Sequence, residues 1–276
     1  MMKELEEINN KLDKILNFLD IQEHRVPSVN NYYEPDTMQK LISDTTHSIL
    51  RDTYIDQKSY QSSSAYLQNR IALDEAKMFR SEYIPRKYGF VDYDSRYDLF
   101  RFALSLTCDS PGILLEFGVF KGGSAEFMAR YSNEPIYGFD SFEGLPSGWC
   151  AGSTTGRFSL DGKIPNVSAT NVEFIKGWFD DTLPSFLDKH SGQKIKFIHF
   201  DCDLYISHQI VFNELLKNKI DLEGTIVLFD EYINYPNWEQ DGHKALQEFV
   251  EKSPWGYRYV GFTTRYPAVA IEFFKK

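Results

Sequence analysis

Two short apolar runs in this chain end in paired acids. His199-Phe-Asp201-Cys-Asp203-Leu-Tyr205 closes one, and Val227-Leu-Phe-Asp230-Glu231-Tyr232 closes the other. If the runs are adjacent strands of an open α/β sheet, four carboxylates gather at its C-terminal edge, where such sheets hold ligands. Like charges so close are unfavourable unless a cation or a shared proton relieves them. An all-oxygen donor set suits a hard ion such as Mg²⁺. The plainer alternative is that some of these acids cap helices and others form ion pairs.

A second constellation lies upstream. Ile113-Leu-Leu-Glu116-Phe-Gly118 is an apolar strand pattern that runs into the turn Val119-Phe-Lys-Gly122-Gly123, and Ser124 opens a helix. The next apolar run ends in Gly138-Phe-Asp140-Ser141. An acid at the tip of a second strand, about 20 residues after a glycine turn, is how such sheets hold a nucleoside ribose. The turn is not G-x-G-x-x-G. A carboxylate at its start would repel a pyrophosphate, which needs the helix N-terminus. Glu116 instead suits a ligand with a cationic end, such as the amino group and sulfonium of S-adenosylmethionine. Asp140 would accept two ribose hydroxyls, or else cap the following segment. After a third run, Gly177-Trp178-Phe179-Asp180-Asp181-Thr182 offers an aromatic to stack on adenine and an acid for its amino group. Asp181 or Thr182 as a helix N-cap explains that stretch equally well. The candidate cofactor contacts are Glu116, Gly118, Gly122, Gly123, Ser124, Asp140, Ser141, Trp178, Phe179, Asp181 and Asp201.

These side chains need a scaffold of alternating strands and helices, and from Gly112 onward the pattern supplies one. Strands are expected at 113–118, 136–140, 172–176, 195–201, 224–230, 257–262 and 268–274. Helices are expected at 96–107, 123–131, 181–189, 206–219 and 240–252. Only a short turn around Arg265-Tyr-Pro267 joins the last two strands, too short for a crossover, so they form an antiparallel hairpin. That ending separates the sheet from an all-parallel dinucleotide-binding one. The stretch from Glu143 to Thr170 is long for a connection and lies at the ligand edge. It is expected to cover the substrate, with Trp149 and Arg157 as contacts.

Upstream, Leu5, Ile8, Leu12, Ile15 and Leu19 are spaced 3-4-3-4, the seam of a coiled coil. Leu at a and Ile at d favours more than two strands. Residues 1–22 are therefore expected to be an oligomerisation helix, giving a trimer or tetramer through 3–20, or else an amphipathic helix packed on its own domain. Residues 23–35 are a linker, 36–95 a helical cap, and 96–276 the sheet domain. The net charge of −10 excludes duplex DNA or an anionic membrane as the main partner. No run of 18 apolar residues is present, so no transmembrane helix is expected. The acidic N-terminus does not resemble a signal peptide. Three scattered cysteines (Cys108, Cys150, Cys202) build neither a zinc site nor a disulfide framework, which points to the cytoplasm.

Taken in order, Glu116-Phe-Gly-Val-Phe-Lys-Gly-Gly123, Gly138-Phe-Asp-Ser-Phe-Glu-Gly-Leu-Pro146, Gly177-Trp-Phe-Asp-Asp-Thr-Leu-Pro184, Asp201-Cys-Asp-Leu-Tyr205 and Phe229-Asp-Glu-Tyr232 resemble the macrocin O-methyltransferase family of class I S-adenosylmethionine-dependent methyltransferases. The resemblance covers roughly 90–276. It implies a Rossmann-like doubly wound α/β sheet of seven strands with the C-terminal hairpin, and Mg²⁺-dependent methyl transfer to a sugar hydroxyl of a nucleotide sugar, glycoside or glycan. Carried onto this chain, it makes Asp201, Asp230 and Glu231 the metal ligands and Asp203 the catalytic base. The family's acid pair after the fifth strand is Asp-Asp, and this chain departs from it at Glu231. Glutamate is one methylene longer and still able to ligate. Without a metal, His243 or His208 becomes the candidate base, while His199, in mid-strand, reads as a core residue. Two rival classes remain at this stage. One is an NAD-dependent oxidoreductase. The other is a cofactor-binding scaffold recruited to glycan assembly.

Overall fold

The computed structural model describes residues 92–93, 95–109, 111–149, 154–263 and 266–276, together with Ala72. The coiled-coil seam at 3–20, the linker 23–35 and nearly all of the cap 36–95 lie outside the described residues.

The described elements run β1 (Asp92–Tyr93), α1 (Arg96–Ser105), β2 (Ile113–Phe117), α2 (Gly123–Ala129), β3 (Ile136–Asp140), β4 (Val172–Lys176), α3 (Phe179–Lys189), β5 (Ile195–Phe200), α4 (Tyr205–Lys217), β6 (Ile226–Phe229), a 3₁₀ turn (Trp238–Gln240), α5 (Gly242–Lys252), β7 (Trp255–Thr263) and β8 (Val269–Lys275). They form one sheet in the order β1-β7-β8-β6-β5-β2-β3-β4. Strands β2 to β6 pair in parallel. Strand β8 is antiparallel to both β6 and β7, so the terminal hairpin inserts its last strand beside β6. This is the expected seven-stranded Rossmann-like sheet. The short β1, parallel to β7, adds an eighth strand at the edge. Its two residues fall inside the expected helical cap, and a two-residue strand has no periodicity to reveal it.

Central parallel strands are covered on both faces and should read as continuous apolar runs. Accordingly β2, β5 and β6 are buried along their whole length. One face packs Ile113, Leu115 and Phe117 with residues of α3, α4 and α5, including Leu183, Phe212 and Leu246. The other packs Leu114, Phe197 and Leu228 with Leu99 and Phe100 of α1 and Met128 of α2. Burying a phenylalanine of this kind contributes about 1.5–3 kcal/mol.

A row of phenylalanines runs across four adjacent strands at their C-terminal ends. Phe139, Phe117, Phe200 and Phe229 are register partners. Their rings stack at centroid distances of 5.1, 5.5 and 5.2 Å. A slip of one residue in any strand would turn its phenylalanine out of this face and break the row. The residue after each phenylalanine is therefore fixed as well: Asp140, Gly118, Asp201 and Asp230 form the next row. The ladder continues through them, with Gly118 N–H donating to Phe139 O, Asp201 N–H to Phe117 O and Asp230 N–H to Phe200 O, at 2.8 to 3.0 Å.

Candidate active site

The second row forms one wall of a cavity of about 620 Å³. Gly118, Asp140, Ser141, Trp178, Phe179, Asp201, Asp203, Asp230 and Glu231 line it, joined by Trp149 and Arg157 from the 143–170 connection. Strand register thus unites residues more than 100 positions apart. Gly118 has to be glycine. Its φ is +92°, and a Cβ there would stand 1.9 Å from Asp201 O. The chain turns away from β2 at the point where β5 passes closest.

Asp140 does more than face the cavity. Its Oδ2 accepts the N–H groups of Val119 and Phe120 at 2.8 and 2.9 Å, and Oδ1 accepts that of Phe142 at 2.7 Å. The side chain ties the glycine turn after β2 to the turn after β3. A carboxylate has about four lone-pair sites, so about one remains for a ligand.

The acid cluster is bound differently. One oxygen from each of Asp201, Asp230 and Glu231 falls within 4.8 Å of the others. Asp203 and Glu231 share a side-chain hydrogen bond. Burial first, then the neighbouring Asp230, pushes Asp201 up to about 8. Burial likewise raises Asp203 to about 6, although the bond to Glu231 and the charge of Arg157 pull the other way. Glu231 is raised well above the ordinary carboxylate range by burial and by Asp230, Asp201 and Asp203. Glu231 Oε2 is buried with no hydrogen-bond partner. Crowded oxygens, raised pKa values and an orphaned acceptor fit a divalent cation bound by carboxylates. Asp203 also holds φ at +58°, a left-handed conformation uncommon for a non-glycine residue. Such strain is retained where the surroundings fix it, often at functional sites.

Sequence reasoning missed Arg96. It is the first residue of α1, it lines the cavity, and its Nη1 meets Asp230 Oδ2 at 2.6 Å. Contact across 134 positions leaves no local signal.

Other expected residues stand off the cavity. Glu116 is fully buried and is the register partner of His199, whose Nδ1 meets its Oε1 at 2.9 Å. The pair lies on the α1 face, with the His199 ring 4.6 Å from Phe100. Burial lowers the His199 pKa, but the bond to Glu116 and its charge outweigh that and raise it. Glu116 Oε2 and His199 Nε2 have no hydrogen-bond partner, so this core histidine is only half satisfied. Gly122, Gly123 and Ser124 cap and open α2 without entering the lining. Helix α3 begins at Phe179 with Trp178 at its N-cap position, so neither Asp181 nor Thr182 caps it. Asp181 falls in the first turn, where an acid complements the helix dipole, while Asp180 lines the cavity. His243 borders a separate surface depression with Glu239 and Lys244. Burial lowers it to about 4. His208 is buried against Leu204 O at 2.9 Å and is likewise lowered to about 4 by burial. Neither histidine lines the cavity that holds the acids.

The connection after β3 folds back on itself. Leu145 N–H donates to Arg157 O and Gly156 N–H to Leu145 O, at 2.9 and 2.8 Å. Trp149 Nε1–H donates to Asp241 Oδ2 at 3.3 Å, and its ring meets Tyr235 edge-on at 5.6 Å. Arg157 covers the Phe158 ring at 4.8 Å. Ile206 and Ile210 of α4 complete an apolar side. No helix among the described residues is long and apolar enough to cross a membrane.

Comparison with known proteins bears on this geometry. The family model described as macrocin-O-methyltransferase (TylF) matches residues 29–253. Among solved structures, CalS11, described as a calicheamicin methyltransferase, aligns with a TM-score of 0.51 at 18% identity, covering 91% of this chain and 97% of its own. The O-methyltransferase NovP aligns with a TM-score of 0.48 at 21% identity, covering 66% and 80%. At these identities the likeness to CalS11 speaks for the fold alone. No curated protein matches the sequence.

Proposed function

We propose that this chain, which belongs to the macrocin-O-methyltransferase family and is an S-adenosylmethionine-dependent O-methyltransferase, methylates a hydroxyl of a sugar carried as a nucleotide sugar, a glycoside or a glycan. The observation that carries the reading is the cavity itself: one row of strand ends holds the glycine turn and Asp140 on one side and the four-acid cluster on the other. Family membership sets aside the oxidoreductase reading. The crowded acid cluster argues against a non-catalytic scaffold.

In this reading Asp140 keeps the two turns together and offers its remaining lone pair to the ribose. Trp178 and Phe179 flank the adenine, with Asp180 or Asp181 toward its amino group. Ser141 and the Gly118 turn border the donor. Gly122, Gly123 and Ser124 shape that turn, and Asp201 closes it on the acid side. Glu116, braced by His199, supports the turn from behind. When bound, the donor supplies an electrophilic methyl group on a sulfonium.

Asp201, Asp230 and Glu231 would hold Mg²⁺. When bound there, the ion supplies positive charge that lowers the pKa of a nearby hydroxyl. Asp203 is the general base. A value of about 6 leaves it ionised at neutral pH yet basic enough to accept a proton. Its left-handed backbone aims it from the turn between β5 and α4. Trp149, Arg157 and Ile206 form the acceptor wall, and closing that side excludes water from the reacting atoms. His243, outside the cavity, is not needed as a base. Residues 3–20 are proposed to associate copies into a trimer or tetramer, and deleting 1–20 should lower the mass seen by light scattering. A cytoplasmic enzyme would meet nucleotide-sugar acceptors.

The test is calorimetric titration of S-adenosylhomocysteine with and without Mg²⁺, followed by a methyl-transfer screen over nucleotide sugars and glycosides. Binding, with turnover of a sugar, supports the proposal. Binding without turnover of any sugar, but with turnover of a phenol or carboxylic acid, would overturn the acceptor assignment.

A further inference from the structure

We propose that Arg96 is the resident counter-ion of the acid cluster and competes with a divalent cation for Asp230, so that metal binding displaces its guanidinium. The inference rests on the metal reading above and adds what sets the affinity of that site.

Nothing local explains a cation at position 96. It opens α1, and a positive charge in a first helical turn opposes the helix dipole. Ser95 already caps that end through Tyr97 N–H. What Arg96 has instead is a distant partner, Asp230, whose Oδ2 it holds at 2.6 Å. Asp201 and Glu231 also act on it electrostatically. Among the lining residues the cations are Arg96 and Arg157, and Arg157 acts on Asp203. Arg96 thus compensates the trio that would bind metal, and Arg157 the proposed base.

A single positive charge cannot neutralise three carboxylates whose oxygens lie within 4.8 Å of one another. A divalent ion among the same oxygens would repel the guanidinium at close range and draw on the Asp230 Oδ2 that it holds. Arg96 can yield. About a third of its side chain is solvent-exposed, and its Cζ already stands 5.2 Å from the exposed Tyr97 ring, a face that can retain a cation. Without a metal the cluster therefore keeps a counter-ion, and its metal affinity is lower than the donor set alone would give.

The experiment measures Mn²⁺ binding by electron paramagnetic resonance at fixed pH, without cofactor or acceptor. It compares the unaltered protein with Arg96→Met, Arg96→Lys, Asp230→Asn and, as a net-charge control, Arg101→Met on the exposed side of α1. Arg96→Met should tighten Mn²⁺ binding by about tenfold or more. Arg96→Lys, which keeps the charge but loses the planar fork, should fall between. Arg101→Met should bind like the unaltered protein, and Asp230→Asn should lose the site. If Arg96→Met folds poorly, Arg96→Gln replaces it with the same expectation. Equal or weaker binding on removal of Arg96, with binding by the unaltered protein intact, overturns the competition and leaves the metal site standing. Absence of Mn²⁺ binding in every variant overturns both.

Discussion

The two acidic sides of the cavity use the same functional group under opposite conditions. Asp140 accepts three backbone N–H groups and ties two turns together. Asp201, Asp203 and Glu231 stand among other carboxylates, with pKa values raised by burial and mutual repulsion. The first side is complete before any ligand arrives. The second stores unfavourable charge that only a proton, an arginine or a metal relieves. A carboxylate that stabilises the fold and one that destabilises it can therefore sit one row apart, and the difference marks which side is set for chemistry.

The sharpest test of that contrast is Asp203→Asn. With Asp203 as the proposed base, the change should lower kcat by about 10²–10⁴-fold. Removing one of four crowded acids should leave the melting temperature unchanged or raise it. A variant that lost stability and kept its rate would break the comparison. Asp140→Ala should do the reverse. It orphans three N–H groups beside a cavity that admits water, so about 2 kcal/mol of stability should disappear from denaturant unfolding, and S-adenosylhomocysteine binding with it.

Next in size is a pH effect that belongs to the crowded side alone. The folded pKa values of Asp201 and Asp203, about 8 and about 6, exceed the ordinary 3.8. Between those limits the folded state binds more protons than the unfolded one, so stability falls as pH rises. In chelator, the melting temperature should drop from pH 5 to pH 8. Mg²⁺ should flatten the slope, and so should Asp201→Asn. A slope of opposite sign would mean that the cluster is not crowded in solution. Trp149→Ala, which removes a cavity wall braced by Asp241 and proposed to face the acceptor, should raise the acceptor KM by about tenfold with kcat little changed. Smallest of all, His243→Gln should leave kcat within about twofold, because it lies outside the cavity and its imidazole is lowered to about 4, so the proposed mechanism gives it no proton to remove.

The sequence carried most of the scaffold. Strands 136–140 and 172–176 were legible to the residue, because apolar runs there meet turn formers at both ends. The strand expected at 224–230 begins only at Ile226, since Gly224 turns at φ +70° and the Thr225 hydroxyl donates to Ile195 O. Helix α3 starts two residues early because the capping signal at Asp181 belongs to its first turn, not its cap. Asp201, Asp230 and Glu231 could be grouped from their places after adjacent strands. Strand pattern does not say which face a side chain takes, which is why Glu116 was read toward the ligand while the structure pairs it with His199. Arg96 was beyond reach, because its role depends on where α1 crosses the sheet.

The phenylalanine row has a consequence for how such a protein can diverge. Register beneath the cavity is held by strand pairing and four stacked rings, whereas in the proposed reading the acceptor wall is supplied by the 143–170 connection and the start of α4. Mutational drift in that connection can change which molecule is accepted without disturbing the floor, while drift in the floor would dislodge the glycine turn and the acids together. Selection on acceptor choice and selection on catalysis therefore act on separable stretches of chain, and a graft of the connection alone is the natural unit for exchanging specificity.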